Sequence, residues 1–142
     1  MTFSVEERID APSAEVWRHL ADPALMVEWM DGVESMRSGN GGALMEGGEL
    51  LFRSRRKERS STVVELRPER AMTLRSVQGP VTATYRYRMA PDDRGVRVTL
   101  DADCKARGVA FLFKPLISFM IRRVDGGQLK ALKTIVEGPA QQ

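Results

Sequence analysis

Apolar and polar residues alternate over the first positions of the chain, and then the spacing of apolar residues becomes that of a helix. Phe3, Val5 and Ile9 fall on one face of an extended segment and polar residues fall on the other, which is the period of a half-buried strand. Glu7 breaks the alternation because its position shares the apolar face. The pattern therefore predicts an opening strand with one carboxylate on its inward face.

A first short helix of about two turns is predicted after this strand. Pro12 suits the first turn of a helix, since its missing N–H has no intrahelical partner there. Val16, Trp17 and Leu20 then supply a narrow apolar stripe.

A second short helix is predicted to begin at Asp22 and Pro23, an N-cap oxygen followed by a residue whose φ is preset for a helix. This helix should end near Asp31 and Gly32. Its buried side would carry Leu25, Met26 and Trp29.

Apolar residues between positions 33 and 108 alternate between turn signals, which predicts an antiparallel meander. Six strands fit this span, at 33–37, 48–55, 60–66, 72–77, 81–89 and 96–105. Glycine, proline and charged residues mark the connections, Lys57 and Glu58 among them. The clearest alternations should face inward; they are Ala83, Tyr85, Tyr87, Met89 and Val96, Val98, Leu100, Ala102, Cys104.

A long helix is predicted after Gly108, where the apolar period changes to three and four. Gly138 and Pro139 would end it, and Pro115 either opens the helix or kinks an earlier turn. Gly126 and Gly127 indicate either a close contact between helix and sheet or a flexible point that opens a cavity. The periodic positions are Ile117, Met120, Ile121, Val124, Gln128, Leu132 and Ile135.

Composition favours one globular unit. A chain of 142 residues that is 42% hydrophobic can bury one sizeable core, so we expect a single domain over 1–142 with a flexible tail at 138–142. The longest apolar stretch, 109–121, is interrupted and falls short of the roughly 20 residues that a spanning helix needs. We see no charged-then-apolar leader and expect a cytoplasmic protein.

Charge and cysteine content exclude several classes of site. Lys and Arg number 22 against 19 Asp and Glu, and this small excess does not indicate a nucleic-acid partner. The dense basic run at 53–59 is typical of a solvated hairpin, with an anionic ligand, an acidic partner or a membrane surface as alternatives. Cys104 and His19 are the only residues of their types, so we expect no disulfide, no metal site and no cofactor.

The glycines at 39, 41, 42, 47 and 48 do not form a phosphate loop. The third glycine of G-x-G-x-x-G would fall at Leu44, and no helix is predicted after it. We interpret the segment as a hairpin connection.

The order of elements and several local motifs resemble the START-like (SRPBCC) superfamily, in its polyketide cyclase/dehydrase-like subgroup. The resemblance covers nearly the whole chain. Its motifs are Ile9 to Pro12 with Val16-Trp17, Asp22-Pro23 with Trp29, Val64 to Pro68, Thr84 to Arg88 followed by Val96 to Leu100, and Gly127 to Lys133.

The resemblance implies an α+β helix-grip fold of the Bet v 1/START-like type. Seven antiparallel strands would curve around a long C-terminal helix in the order β-α-α-β6-α, with a mostly apolar cavity between sheet and helix. Family members bind lipids, hormones or polyketides, and a minority are cyclases, aromatases or oxygenase domains. The chain lacks the cysteine and histidine pairs of the oxygenase branch, which excludes that branch. It also lacks the Ile-Pro-Gly-type turn of carbon monoxide dehydrogenase-associated subunits.

Parity and this resemblance together give a set of expected cavity-lining residues. They combine apolar walls with a few polar groups, as small-molecule sites do. Most inward side chains of any domain only fill its core, so ordinary packing is the competing interpretation for each of them. The set is Trp29, Met72, Leu74, Tyr85, Tyr87, Met89, Phe119, Met120 and Val124.

Residues that would carry chemistry are few. Glu7 is the only carboxylate whose parity suggests burial, so it is a candidate general base, although pairing with an arginine on a neighbouring strand is the simpler alternative. The phenols of Tyr85 and Tyr87 share a face and can point toward a ligand oxygen or find an ordinary partner. Cys104 is interpreted as a small buried hydrophobe, and His19 as a surface or helix-packing residue.

Three functions are compatible with these observations. The first is a module that binds a hydrophobic small molecule, such as a lipid, an isoprenoid or a polyketide. The second is an enzyme of the cyclase or aromatase type. The third is a protein that acts through a partner, or as a homodimer, by way of the apolar segment 109–121.

Overall fold

A computed structural model of the protein describes residues 2–30, 33–54, 56–78, 81–93, 95–106 and 128–137. The chain opens with one strand, continues with two short helices, and then forms six strands in succession. In chain order they are β1 (Thr2–Ile9), α1 (Ser13–Ala21), α2 (Pro23–Met26), β2 (Val33–Ser38), β3 (Glu49–Ser54), β4 (Lys57–Arg67), β5 (Ala71–Gln78), β6 (Val81–Pro91), β7 (Val96–Ala106) and α3 (Gln128–Glu137).

The strands form one seven-stranded antiparallel sheet in the order β1-β7-β6-β5-β4-β3-β2. Strands β2 to β7 follow one another as a meander, and β1 pairs with β7 from Thr2 opposite Asp103 to Ile9 opposite Val96. The prediction of a meander after two helices is confirmed. The first strand is therefore placed at one edge by a partner far along the chain.

One face of the sheet, the inner face, carries the core. Ala83, Tyr85, Tyr87 and Met89 of β6 are buried, and Tyr87 is fully so. Burying an apolar side chain of this size contributes about 1.5–3 kcal/mol, so the alternation itself determines which face of the sheet is covered. The expected inward residues of β7 are also buried; they are Val96, Val98, Leu100, Ala102 and Cys104.

The first helix covers part of this face. Pro12 precedes it with extended dihedral angles, so the helix begins one residue later than its proline. Val16 and Leu20 are fully buried, whereas Trp17 is only half-buried. The predicted apolar stripe is thus confirmed at two positions of three.

The second helix is shorter than predicted. Asp22 caps it by accepting a hydrogen bond from the Ala24 N–H at 3.0 Å, as the sequence indicated. The helix ends at Met26, and after it the Trp29 N–H bonds back to the Met26 carbonyl in a four-residue turn. The prediction that the helix continues to near Asp31 is wrong, because beyond Met26 the hydrogen bonds mix the i−3 spacing of Glu28 with the i−4 spacing of Met30 and no regular helix continues.

The prediction of a turn at Lys57 and Glu58 is also wrong. Both residues begin β4, where Lys57 lies opposite Ser54 and Glu58 opposite Arg53. Arg56 takes the left-handed conformation, with φ of 66°, and so supplies the chain reversal one residue before Lys57.

The last described helix lies along β1. Lys133 donates to the Arg8 carbonyl at 2.7 Å, and Glu137 accepts from the Asp10 N–H at 2.8 Å. The Lys133 ammonium also bonds to Glu137 at 2.9 Å, so one ion pair joins the end of β1 to the end of α3. The predicted helical positions from Ile117 to Val124, Pro115, Gly126 and Gly127 lie outside the described residues.

None of the helices in the described ranges is long and apolar enough to cross a membrane.

Replacing Gly95 with alanine should destabilise the turn between β6 and β7. A Cβ at Gly95 would clash with the Ile9 carbonyl oxygen, so the backbone of β1 would have to move. We expect Gly95→Ala to lower the free energy of unfolding by about 1–3 kcal/mol, measured by urea denaturation. Gly42→Ala is the control, since its nearest atom is 3.7 Å away. Equal stability of the two variants would contradict this description of the turn.

Candidate functional site

A buried junction on the inner face joins the helices to the sheet. The Tyr87 hydroxyl donates to Gln128 Oε1 at 2.6 Å, and the rings of Trp29 and Tyr87 meet edge to face with centroids 5.9 Å apart. The Trp29 indole N–H donates in turn to the His19 carbonyl at 2.9 Å. We call these residues the Tyr87 junction. It joins α1, the turn after α2, β6 and α3.

The Tyr87 junction shows what the Tyr87 hydroxyl binds within the protein. Two phenols on one strand suggested hydroxyls available to a ligand, but the Tyr87 hydroxyl is held by Gln128. Gln128 is only 5% exposed, and its amide nitrogen makes no hydrogen bond within the described part of the chain. A buried N–H without an acceptor is costly, so the amide nitrogen is a donor that a ligand near the Tyr87 hydroxyl could satisfy.

The predicted cavity residues of the strands are brought together. Met72 and Leu74 of β5 lie directly opposite Tyr87 and Tyr85 of β6, and Met89 lies opposite Val98 of β7. All of them are buried on the inner face, as is Trp29. Phe119, Met120 and Val124, which would complete the set, lie outside the described residues.

A small cavity lies beside Leu74 and Tyr85, near the edge formed by β2 and β3. Its volume of about 10 Å³ is at the lower limit for one water molecule. Sequence reasoning placed its strands but did not name most of its walls. These missed residues are Met30, Val33, Met36, Leu50, Phe52 and Ser61.

The signal for these residues was present in the alternation of β3. Leu50 and Phe52 are two positions apart and so share a face, which is the same criterion that selected Tyr85 and Tyr87. Phe52 lies opposite Arg59 of β4, inside the basic run that we interpreted as a solvated hairpin. The dense charges of this run mask the alternation of the apolar residues next to them.

The inner face is polar at one end. Ser61 of β4 and Ser76 of β5 are linked through their hydroxyls at 2.6 Å, and Ser61 is buried. Arg59 lies two residues before Ser61, so its side chain leaves the same face of the strand. It is half-buried, whereas Lys57 and Glu58 are exposed.

Glu7 lies on the inner face of β1, opposite the fully buried Val98. Its side chain is half-buried and makes no hydrogen bond or ion pair with any residue of the described ranges. The nearby Arg97 pairs with Glu6 instead, at 3.4 Å. The alternative in which Glu7 pairs with an arginine is therefore not seen, and a role as general base stays a prediction.

Cys104 and His19 are both buried, each in a way that fits packing. Burial raises the pKa of the Cys104 thiol, which is 6% exposed and so holds its proton at neutral pH. His19 is 8% exposed, and its Nδ1 lies 3.0 Å from the Glu15 carbonyl one turn earlier. Of the two expected alternatives for His19, a surface residue or a helix-packing residue, its burial favours helix packing.

Two other expectations concern sites that would hold charged groups. Gly39 and Gly41 lie in the connection from β2 to β3, where their N–H groups bond to the carbonyls of Glu49 and Ser38, so the hairpin interpretation is confirmed.

In the described part of the chain, no group of three His, Cys, Asp or Glu side chains could hold a metal ion.

Solved structures share this architecture over the whole chain. Protein NE0264 from Nitrosomonas europaea matches with a TM-score of 0.72 at 17% identity, covering 96% of this chain and 94% of that one. CalU16 from Micromonospora echinospora matches with a TM-score of 0.66 at 20% identity, covering 96% and 74%. The solution structure of KanY matches with a TM-score of 0.69 at 18% identity, covering 97% and 98%. No curated protein sequence matches the chain significantly.

These likenesses establish the class of fold: an α+β helix-grip fold, in which a curved seven-stranded antiparallel sheet packs against a C-terminal helix. The family model described as polyketide cyclase/dehydrase and lipid transport matches residues 1–137. The chain belongs to that family, as its motifs indicated.

A double-mutant cycle should detect the hydrogen bond at the centre of the Tyr87 junction. Tyr87→Phe leaves the Gln128 carbonyl oxygen buried without its donor, so we expect a loss of about 1–3 kcal/mol in the free energy of unfolding. Because Gln128→Leu removes the other partner, the double variant should be more stable than the sum of the single losses predicts, by about 1 kcal/mol. Strictly additive losses in urea denaturation would show that the two groups do not interact.

The Cys104 thiol should resist modification in the folded protein. Its raised pKa lowers the thiolate fraction at pH 8, and its burial blocks the reagent. We expect an aromatic disulfide reagent to label the folded protein much more slowly at pH 8 than the protein unfolded in guanidinium chloride. In the unfolded protein, reaction with the single cysteine should release one equivalent of the reagent's aromatic thiol. Fast labelling of the folded protein would mean that the thiol is accessible and ionised.

Proposed function

We propose that this protein binds a hydrophobic small molecule, lipid-like, isoprenoid or polyketide-like, between the inner face of its sheet and its C-terminal helix. The observation that carries the proposal is the arrangement of β5 and β6. Met72, Leu74, Tyr85 and Tyr87 lie side by side as two cross-strand pairs on one buried face.

Methionines make this face adaptable. Met72 and Met89 lie in the middle strands, and Met36 lies beside the small cavity at the edge. An unbranched thioether side chain can take several rotamers at little cost, so such a wall can fit ligands of irregular shape. This supports binding of a flexible or polycyclic apolar molecule over binding of a small polar one.

The few polar groups on the inner face support a binding role as well. Gln128 offers a buried amide N–H next to the Tyr87 hydroxyl, and Ser61 and Ser76 offer hydroxyls at the other end. Small-molecule sites combine apolar walls with a few such groups, which orient the ligand. The family's description, with lipid transport in it, is in keeping with this role.

Filling the inner face with a larger side chain should weaken ligand binding. We expect N-phenyl-1-naphthylamine, an uncharged apolar fluorophore, to bind the wild-type protein with enhanced emission. Ala83→Trp places an indole on the inner face between Ser76 and Cys104, and should weaken this binding at least tenfold. Thr84→Trp is the matched control, because the next residue along the strand points to the opposite face.

Fluorescence titration measures both affinities, and thermal denaturation shows that each variant is folded. A fluorophore that does not bind the wild-type protein, or that binds both variants equally, would contradict a site on the inner face.

A further inference from the structure

The ligand's chemical class can be narrowed from the charge on the inner face, given the proposed binding function. We infer that the protein takes an amphipathic carboxylate, with its acid group bound by Arg59 and its apolar body lying over β5 and β6. The observation behind this inference is a half-buried guanidinium without a counter-ion among the residues that the structure describes.

Arg59 is turned toward the core by the alternation of β4. Ser61 and Val63, at two and four residues further on, are both buried on the inner face, so the parity of Arg59 is the same. Across the hairpin it lies opposite Phe52, which lines the small cavity. Its side chain is half-buried, while Ser60 between it and Ser61 is exposed.

The acidic groups near this hairpin are already engaged on the outer face. Glu58 lies 3.6 Å from Arg37, and Glu34 lies 3.6 Å from Arg53. Glu34 also accepts a hydrogen bond from the Arg56 N–H at 3.1 Å. Both carboxylates therefore pair with exposed cations, and neither of them pairs with Arg59.

Arg59 itself makes no ion pair or hydrogen bond with any residue in the described ranges. Removing a charge from water without a partner is costly, so a half-buried guanidinium favours an anion beside it. A guanidinium presents its N–H groups in a fixed fork that matches the two oxygens of a carboxylate. One carboxylate also neutralises one arginine, whereas a phosphate monoester would bring excess negative charge.

Hydroxyl groups extend the polar end beyond Arg59. Ser61 and Ser76 bond to each other at 2.6 Å, which uses one of their two protons. The second hydroxyl proton is left to donate to an anion, since each hydroxyl carries one donor. Arg59 and this serine pair thus supply donors and no ionised acceptor.

The apolar part of the inner face indicates what kind of molecule carries the carboxylate. Val63 lies opposite Leu74, and Leu74 opposite Tyr85, so an apolar row crosses the sheet four residues from Arg59 along β4. That separation is roughly 14 Å at the rise of an extended strand. A molecule with a carboxylate at one end and an apolar body of this length matches both regions.

The test compares two probes that differ only at the headgroup, dodecanoate and 1-dodecanol, by displacement of N-phenyl-1-naphthylamine at pH 8. Arg59→Gln should weaken dodecanoate binding about tenfold or more, because it removes charge-assisted hydrogen bonds, and should change 1-dodecanol binding less than about twofold. Arg75→Gln is the matched control: Arg75 is exposed on the outer face of the neighbouring strand and has no ion pair in the described ranges, so both affinities should stay within about twofold.

Arg59→Lys is a second variant that retains the charge. Because an ammonium lacks the fork, it should bind dodecanoate more tightly than Arg59→Gln and less tightly than the wild type. The thermal midpoint of each variant shows whether it is folded.

The outcomes separate this inference from the proposed function. If the fluorophore and 1-dodecanol bind but Arg59→Gln affects the two probes equally, the inference is wrong and the apolar site stands. The inference is also wrong if Arg59→Gln leaves dodecanoate binding unchanged. The Arg59 guanidinium would then only extend past Phe52 into water. If neither the fluorophore nor the alcohol binds the wild type, the proposed function fails and the inference fails with it.

Discussion

The buried hydrogen bond between Tyr87 and Gln128 attaches the C-terminal helix to the middle of the sheet, and the covering of the inner face depends on this attachment. The sheet can bury its inner face only if a helix lies over it, and the 2.6 Å bond ties α3 to the middle of β6. Trp29 packs edge-on against the same tyrosine ring, so the two short helices share this point of attachment. An aromatic ring with a polar tip suits the position because its body fills the core while its hydroxyl specifies one partner.

Charge is divided between the two faces of the sheet. The outer face carries pairs such as Arg88 with Asp101 and Arg86 with Glu65, at 2.6 and 3.2 Å. Exposed pairs of this kind contribute little to stability, and their effect is to keep a broad strand surface hydrated. The inner face has few ionisable groups, so Glu7 and Arg59 are conspicuous there.

The fold was largely predictable because strand alternation is a local property. Residues such as Tyr85 and Tyr87 alternate with arginines, and this pattern determines the buried face without knowledge of neighbouring strands. The errors came where local signals conflict with pairing. Lys57 and Glu58 have the composition of a turn, but pairing with β3 extends the strand through them. The inward direction of Arg59 was missed for the same reason, since a run of charges conceals the parity of a single member.

The pairing of β1 with β7 has a consequence for how the chain acquires its structure. Ser4 and Asp101, which share a hydrogen bond, are separated by 97 positions in the sequence. On the ribosome, the first strand is synthesised long before the strand that it will pair with, while β2 to β6 can form hairpins as they emerge. The backbone groups of the first strand therefore stay hydrated until β7 has been synthesised. Bringing β1 to β7 then closes a long loop, which costs conformational entropy. The slowest stage of folding should accordingly be the docking of the amino-terminal strand onto a nearly complete sheet.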